Sequence, residues 1–266
     1  MGRVPDVQDP AGPDAWESEL HWDDEVDVLC VGSGPGVLAH AVFSAGLGAD
    51  VLLVDAAAPT DVTDADTLAF LGSMTIDLGS VTPAGADLEA SVLRAEPVPV
   101  RTDPRAPIEP FIGARLREFA LWCVASPFGV LYTEVPDAGW TAMGTEAGDT
   151  VQVASVGAFR AGVEAPAAAL TAWLDEQAHA CGVARAADSV ARRLIFENGR
   201  VAGAELAAPS GTTLVRALAG VALSTRSAPD AGEWPAQPEL GGRTAEVAII
   251  ARTAGRFGRL VLLNPR

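Results

Sequence analysis

The sequence predicts an α/β fold in which helices flank a mostly parallel sheet and a small antiparallel β-meander is added. Three observations lead to this prediction. An apolar run, "VDVLCV" (26–31), is followed by an alanine-rich helical segment and then by a second apolar run, "DVLLVD" (50–55). Two later apolar runs are joined by "NG", a strong hairpin signal. With 266 residues, 49% of them hydrophobic, the chain can bury a sizeable core.

The first elements form a β-α-β unit. A continuous apolar run such as 26–31 is typical of a buried parallel strand. The helix in "PGVLAHAVFSAGLG" is predicted to begin at Pro35. The first residue of a helix makes no hydrogen bond through its N–H within the helix, so proline, which has no N–H, is tolerated there. The spacing to the strand at 50–55 predicts a right-handed parallel crossover.

The middle of the chain gives weaker signals. Residues 60–95 have a loose helical pattern, and the proline-rich residues 97–110 are expected to be extended or looped. Helical spacing of apolar residues predicts a helix at 112–126, and a strand is predicted at 128–135. Residues 136–148 are interpreted as a turn-rich connection.

The last third of the chain is predicted with clearer signals. An amphipathic helix spans 165–183 and ends at Gly182. The strands "RRLIFE" and "RVAGAEL" form the "NG" hairpin, and a third strand follows the turn "PSG". The apolar segment 219–225 is a further strand, and 244–264 is expected to form two more.

Composition excludes several classes of partner. The net charge is −17, and all 18 basic residues are arginine, so the chain should repel nucleic acid and anionic membrane surfaces. Cys30, Cys123 and Cys181 are far apart, which is typical of reduced, buried thiols in a cytoplasmic protein. The sequence predicts no signal peptide, membrane span or metal site.

The N-terminal 25 residues are rich in proline and acidic residues and are interpreted as a flexible acidic arm. Trp16, Leu20 and Trp22 are unusual in such an arm, and they could dock on this chain or on a partner. Residues 26–266 are expected to form a single domain. We expect the chain not to be a monomer, its partner being a second copy or a different subunit.

The turn after the first strand approximates the dinucleotide-binding pattern G-x-G-x-x-G. Gly32 and Gly34 fit, Val37 stands where the third glycine belongs, and Gly36 is one place early. Such glycines let the backbone approach a pyrophosphate at a helix N-terminus, and Asp55 could accept hydrogen bonds from a ribose. The candidate dinucleotide-binding residues are Gly32, Ser33, Gly34, Pro35, Gly36, Val37, Asp55 and Ala56.

The segment "DVLCVGSGPGVLAHAVFSAGLGADVLLVDA" resembles the FAD-binding segment of flavoproteins of the fumarate reductase/succinate dehydrogenase and 3-ketosteroid dehydrogenase type. Gly32 and Gly34 match the first two fingerprint glycines, Gly48 the glycine that ends the helix, and Asp55 the acid after the second strand. Residues 170–225 resemble the later helix, "GRVxG" hairpin and return strand of the same proteins. The resemblance implies a Rossmann-like FAD-binding domain with FAD as its cofactor.

The sequence also departs from this family. Val37 replaces the third glycine, where we expect it to push the helix outward, and "LSTRS" replaces the "ATGG"-like turn that ends the return strand near the flavin. The best match to the glycine- and serine/threonine-rich loop after the second strand is "LGSMT" at 71–75. The chain is much shorter than is usual in the family. The substrate cap is therefore expected to be reduced or missing, with 95–160 as a remnant.

Two functions remain open from the sequence. The first is an FAD-dependent oxidoreductase that takes a hydride from a C–C bond next to a carbonyl, on a small and steroid-like substrate. The second is a non-catalytic subunit that pairs with a full-length flavoenzyme or other partner. No catalytic residue can be assigned from the sequence.

Several side chains could belong to a site, although a structural role is favoured for each. Tyr132, the only tyrosine, could donate a proton to the substrate carbon or accept one from it. A strand residue with its hydroxyl at the surface is expected instead. An arginine cluster around a proline-rich loop could bind a carboxylate, and two later arginines beside glycines could contact a cofactor or a partner. In both cases the arginine side chains are expected to be solvated instead. These arginines are Arg101, Arg105, Arg115 and Arg117, and then Arg256 and Arg259.

Overall fold

The fold is given by a computed structural model. It describes residues 21–54, 64–78, 87–98, 113–136, 138–160, 166–186, 188–230, 233–235 and 242–264. In these ranges the helices are α1 (Pro35–Gly46), α2 (Ala65–Thr75), α3 (Gly113–Val124) and α4 (Pro166–Ala180), and a short 3₁₀ turn, Ile76–Leu78, follows α2. None of the described helices is long and apolar enough to cross a membrane.

The strands form two sheets. The smaller has the order β1-β12-β11-β10 and the larger the order β5-β7-β8-β14-β15-β6-β13-β2-β3-β9, with β4 paired to β15. The first eight strands are β1 (Asp24–Val26), β2 (Val28–Val31), β3 (Val51–Val54), β4 (Val92–Leu93), β5 (Ala95–Pro97), β6 (Gly129–Tyr132), β7 (Thr141–Thr145) and β8 (Thr150–Arg160). The others are β9 (Ala184–Arg185), β10 (Val190–Glu197), β11 (Arg200–Ala208), β12 (Gly211–Ala217), β13 (Val221–Ser224), β14 (Thr244–Ala251) and β15 (Phe257–Leu263).

The α/β class with a Rossmann-like unit is confirmed. Strands β13, β2, β3 and β9 are parallel neighbours, and α1 connects β2 to β3. The antiparallel meander β10-β11-β12 is also confirmed. Its first turn has positive φ at both Asn198 and Gly199, the conformation that an "NG" hairpin favours.

The expectation of a mostly parallel sheet is wrong. Strands β6, β7, β8, β14 and β15 extend the larger sheet through antiparallel pairs. For two of these pairs the reason is the length of the connection, since β7 reaches β8 and β14 reaches β15 through loops of a few residues. A parallel pair needs a crossover of a dozen residues or more. Residues 129–160 thus contribute strands to the same sheet as β2 and β3.

The larger sheet carries a different layer on each face. Val28 and Cys30 of β2 point into a core shared with α1 and α4, while Leu29 and Val31 point into a core shared with the meander. Over β14 and β15, the second face is covered by α3 through Phe119. This alternation is what a strand buried on both faces requires.

Helix α1 is buried on all sides. Every residue from Pro35 to Ser44 is buried, and α1 contacts α4 and seven strands of the larger sheet. A helix that is apolar all round can be stable in water only in such a position. Helix α1 therefore lies in the core between the larger sheet and α4.

The described part of the acidic arm docks on this chain. The indole Nε1 of Trp22 donates a hydrogen bond of 3.1 Å to Glu197, and the guanidinium of Arg216 lies 5.9 Å from the centroid of the indole ring. Strand β1 then pairs with β12. Of the two alternatives for the arm, docking on this chain or on a partner, Trp22 therefore shows docking on this chain. Trp16 and Leu20 lie outside the described residues.

Candidate functional site

The glycine loop has the backbone that the sequence predicts. Gly32 ends β2 with φ of +125°, in the left-handed region that favours glycine, and its N–H donates to the carbonyl of Val54 at 3.0 Å. Gly34 is the N-cap of α1 and Pro35 is its first residue. Locally, the chain keeps the turn and helix start of a dinucleotide-binding loop.

The glycines of this loop lie against the protein's own chain. A Cβ atom added to Gly34 would lie 2.5 Å from the carbonyl oxygen of Pro127 and 2.8 Å from that of Arg226. One added to Gly36 would lie 2.7 Å from the carbonyl oxygen of Gly129. These distances are too short for any side chain. The absence of Cβ atoms here serves close packing between backbone segments, in the space where a pyrophosphate would approach.

The polar groups of the loop are also engaged. The N–H of Gly36 donates to the carbonyl of Pro127 at 3.2 Å, and the hydroxyl of Ser33 accepts from the N–H of Ala228 at 3.3 Å. Pro35 has no N–H to offer. Of the N–H groups that this helix N-terminus could present to a phosphate, that of Gly36 is therefore used by the carbonyl of Pro127, and that of residue 35 is absent.

The space at the loop is small. A cavity of about 80 Å³ lies there, lined in part by Gly32, Ser33, Asp175 and Arg185, the last two of which form an ion pair. Small-molecule sites have volumes of roughly 300–1,000 Å³. Because the cradle is filled by backbone and the remaining cavity is small, the described residues do not fit FAD.

Two segments close the loop, and sequence reasoning missed one of them. Residues 126–129, between α3 and β6, supply carbonyls to Gly34 and Gly36. The end of the return strand, "LSTRS", supplies Ser224, whose Oγ donates to the carbonyl of Arg226 at 2.5 Å. The hydroxyl of Thr225 bridges the segments by donating to the carbonyl of Ser126 at 2.9 Å. In the sequence, only the replacement of the "ATGG"-like turn by "LSTRS" indicated that this loop would be different. Nothing in the sequence indicated the role of residues 126–129.

Val37 does not push α1 outward, which corrects the expectation from the sequence. Its side chain is fully buried in the core that contains Cys30, Phe128 and Val130. The close approach is made one residue earlier, because Gly36 rather than residue 37 faces the backbone of β6. Gly36, one position before the third glycine of the pattern, thus allows α1 to pack closely against the start of β6.

The remaining candidates of the glycine-loop site cannot be placed. Asp55 and Ala56 lie outside the described residues, so the contact of Asp55 with a ribose stays a prediction. The segment "LGSMT" falls within α2 and is not a loop. Its backbone N–H groups are therefore mostly used inside the helix.

Tyr132 is not a surface residue. It is 2% exposed, its hydroxyl has no hydrogen-bond partner among the described residues, and burial raises its pKa. It packs edge-on against His40, with 4.8 Å between ring centroids. Tyr132 lies in a strand, β6, as expected. Its hydroxyl was expected at the surface and lies in the core instead.

The four of these arginines that the structure describes are tied to protein groups and are not gathered in one site. Arg115 pairs with Asp149 at 2.7 Å, and Arg117 donates to the carbonyl of Leu78. Arg256 donates to the carbonyl of Thr133 at 2.6 Å. Arg259 is fully buried, which contradicts the expected solvated position. Arg101 and Arg105 lie outside the described residues.

No family model and no curated protein matches the chain. Among solved structures, the 3-ketosteroid-Δ4-(5α)-dehydrogenase from Rhodococcus jostii RHA1 is similar with 19% identity and a TM-score of 0.36, over 77% of this chain and 46% of that chain. An open flavocytochrome c3 fumarate reductase is similar with 14% identity and a TM-score of 0.32, over 74% of this chain and 33% of that chain.

A geranylgeranyl bacteriochlorophyll reductase-like protein from Thermoplasma acidophilum is similar with 19% identity and a TM-score of 0.30, over 73% of this chain and 38% of that chain. The chain therefore spans less than half the length of each of these three proteins. The dehydrogenase and the fumarate reductase carry the names of the two enzyme types that the sequence resembles.

Burial controls the titratable groups inside the molecule. Cys30 and Cys123 are buried thiols whose pKa values are raised by burial, whereas Cys181 is exposed, contrary to expectation. His40 is 5% exposed, and burial lowers its pKa to about 4. The imidazole is therefore neutral near neutral pH.

Protonation of His40 is expected to destabilise the fold in mildly acidic solution. The pKa of about 4 lies below the value of about 6.5 in an unfolded chain. Between these values the unfolded state binds more protons, so stability is retained above the unfolded pKa and lost as the pH falls. From about pH 7.5 to about pH 5 the free energy of unfolding should fall by about 2 kcal/mol because of this group.

Urea denaturation of the parent and of His40→Phe at both pH values measures this effect. The lower pH stays above the isoelectric point of about 4.4, which limits precipitation. Phenylalanine keeps the ring but cannot titrate, so the variant should lose about 2 kcal/mol less than the parent. An equal loss in both proteins would assign the pH dependence to other groups.

Proposed function

We propose that this chain is a non-catalytic, flavoprotein-like subunit that holds no dinucleotide at its glycine loop and acts through contacts with another protein chain. The observation that carries the proposal is the closure of the N-terminus of α1 by residues 126–129. A pyrophosphate would need the N–H of Gly36 and the space beside Gly34, and both meet backbone carbonyls. Phosphate oxygens and carbonyl oxygens carry the same sign of charge, so they cannot share this position.

Exposed apolar side chains support the second half of the proposal. Ile76 is 74% exposed and Leu68 is 50% exposed, on α2 and the turn that follows it. Large exposed apolar patches mark contact surfaces, and these two side chains belong to one helix and to the turn directly after it. The partner is a second copy of this chain or a flavoprotein subunit.

The competing function is an FAD-dependent oxidoreductase acting on a C–C bond next to a carbonyl. The retention of Gly32 and Gly34 and the family resemblance support it. The dehydrogenase named above was solved in complex with 4-androstene-3,17-dione. Under this alternative FAD would be the cofactor and a small, steroid-like ketone the substrate.

We expect the purified chain to show no visible flavin absorption and to give no binding heat when FAD is titrated into it. Expression in flavin-supplemented medium, followed by calorimetry on the parent and on Asp55→Ala, makes the comparison. If the chain held FAD through Asp55, the variant would bind it more weakly by roughly 1–3 kcal/mol. Stoichiometric flavin in the parent that is weakened in Asp55→Ala would overturn the proposal in favour of the oxidoreductase.

Light scattering during size-exclusion chromatography tests the subunit role. The matched variant should lack residues 1–20 only, because Trp22 and β1 pack on this chain's own meander. Assembly of the full-length chain, or its co-elution with a purified flavoprotein partner, supports the proposal. A monomer of 27.3 kDa that stays monomeric at high concentration contradicts the form with a second copy.

A further inference from the structure

A second cavity lies at the other end of α1 from the glycine loop. It has a volume of about 300 Å³ and is bordered by the amino ends of β2 and β13, at Val28 and Val221, and by the last turns of α1. The twelve residues of α1 span about 18 Å, so the two sites are separate. Parallel strands place the glycine loop at their carboxyl ends, and this cavity is at the opposite edge.

Apolar groups form most of the wall. Phe43, Leu47 and Ala49 line it from α1 and the residues that follow, and Val135 and Pro136 line it from the segment after β6. Leu47 is 55% exposed and Val135 is 43% exposed, so the mouth of the cavity is apolar as well. A cavity of this kind favours an apolar occupant of one or two rings, at the lower end of the usual range of ligand sites.

Two polar side chains of α1 enter this apolar wall one helical turn apart. His40 Nε2 and Ser44 Oγ lie 3.4 Å from each other, and both residues line the cavity. His40 Nδ1 is buried and has no hydrogen-bond partner among the described residues. A buried polar atom without a partner is costly, and in native proteins it often points to a functional role.

The charge of the cavity excludes ionic ligands. Glu134 lies on the wall but pairs with Arg200 at 2.9 Å, so its charge is already compensated. His40 is neutral near neutral pH. Because nothing in the described wall compensates an added charge, and burying an unpaired charge is strongly unfavourable, the occupant must be neutral.

We propose that this cavity binds a neutral, mainly apolar small molecule that carries one hydroxyl group, which hydrogen-bonds to the pair formed by His40 and Ser44. A neutral imidazole and a hydroxyl can each donate or accept, so the pair can satisfy a ligand hydroxyl in either role. The apolar body of the ligand lies between Phe43 and the residues of the mouth. This site does not depend on whether the glycine loop holds a dinucleotide.

Two probes that differ by one hydroxyl test the proposal, namely 2-naphthol and naphthalene. We expect the parent to bind 2-naphthol about three- to tenfold more tightly, the range that one hydrogen bond supplies. His40→Phe keeps the ring and should abolish this preference while retaining naphthalene binding. Fluorescence titration at neutral pH measures both affinities, and circular dichroism confirms that each variant is folded.

Two further variants locate the binding. Tyr132 also lines the cavity, and its buried hydroxyl lies beside Gly258 of β15 and has no hydrogen-bond partner among the described residues. If the pair formed by His40 and Ser44 is what binds the ligand hydroxyl, Tyr132→Phe should retain the preference. Ala49→Leu places a larger side chain in the cavity and should weaken the binding of both probes. Absence of the preference in the parent, its persistence in His40→Phe, or its loss in Tyr132→Phe would each overturn the proposal.

A spectroscopic readout keeps the test independent of the stability of the variants. The chain has only three histidines, so the ring signals of His40 can be assigned in a histidine-labelled sample by comparison with His40→Phe. We expect 2-naphthol to shift the His40 ring signals further than naphthalene does. Equal or absent shifts on saturation with the two probes would contradict a hydrogen bond to His40.

Discussion

Replacing Asp87 with alanine is expected to lower the free energy of unfolding by about 2–4 kcal/mol. Its partner, Arg259 of β15, has a fully buried side chain that donates to Asp87 at 2.6 Å and to the carbonyl of Trp122 at 2.5 Å. Burial lowers the pKa of Arg259, and the Asp87 carboxylate opposes this shift. Without the carboxylate, a buried charge is left uncompensated, which destabilises far more than the loss of an exposed pair.

The exposed pair between Arg94 and Glu146 is the matched control. Its atoms are 3.8 Å apart and its side chains are 64% and 74% exposed, so Glu146→Ala should change stability by less than about 1 kcal/mol. Chemical denaturation of both variants gives the comparison. If Asp87→Ala is no more destabilising than Glu146→Ala, the carboxylate is not what compensates Arg259.

Asp87 also connects this ion pair to the closed glycine loop. Its backbone carbonyl accepts from the hydroxyl of Ser126 at 2.6 Å, and its N–H donates to the carbonyl of Ala125 at 2.9 Å. Ser126 precedes Pro127, whose carbonyl meets Gly36. The segment 126–129, which lies against the glycine loop, is therefore held by several hydrogen bonds and by a buried charge.

Replacing Val37 with glycine is expected to destabilise the protein by roughly 2–4 kcal/mol and not to create a cofactor site. The valine side chain is fully buried, so its loss leaves a cavity in the core between α1 and the sheet. Glycine also lowers helix stability by about 1 kcal/mol relative to alanine. The space beside Gly34 and Gly36 stays filled, because the backbone carbonyls of Pro127, Gly129 and Arg226 occupy it and the substitution does not remove them.

Val37→Ala and Ala45→Gly separate the two contributions. The first removes buried volume without the backbone effect, and the second adds a glycine to the same helix at a partly exposed position. Urea denaturation gives the stabilities, and the flavin content after expression in flavin-supplemented medium gives the cofactor readout. A Val37→Gly protein that is as stable as the parent and carries more flavin would contradict both the packing of Val37 and the closure of the loop.

The elements that the sequence predicted best depend on short-range patterns. The β2-α1-β3 unit follows from two continuous apolar runs around a helix opened by Pro35. The hairpin at Asn198 and Gly199 follows from residues that tolerate positive φ. Strand β7 was missed because residues 136–148 were interpreted as turns, and no strand was predicted over β8. The stability of both strands comes from pairing with β5 and β14, which lie far away in the chain.

What the sequence by itself determined is the local geometry of the glycine loop: a left-handed turn at Gly32, a helix that starts at Pro35, and backbone groups open to close approach. These properties depend on residues within one or two turns of each other. Only the tertiary structure decided which atoms make that approach. Residues 126–129 and 224–226 reach the loop through the order of strands in the sheet, and carbonyl oxygens of Pro127, Gly129 and Arg226 lie against Gly34 and Gly36. A short motif sets the shape of a site, whereas contacts between distant segments of the chain set its occupant.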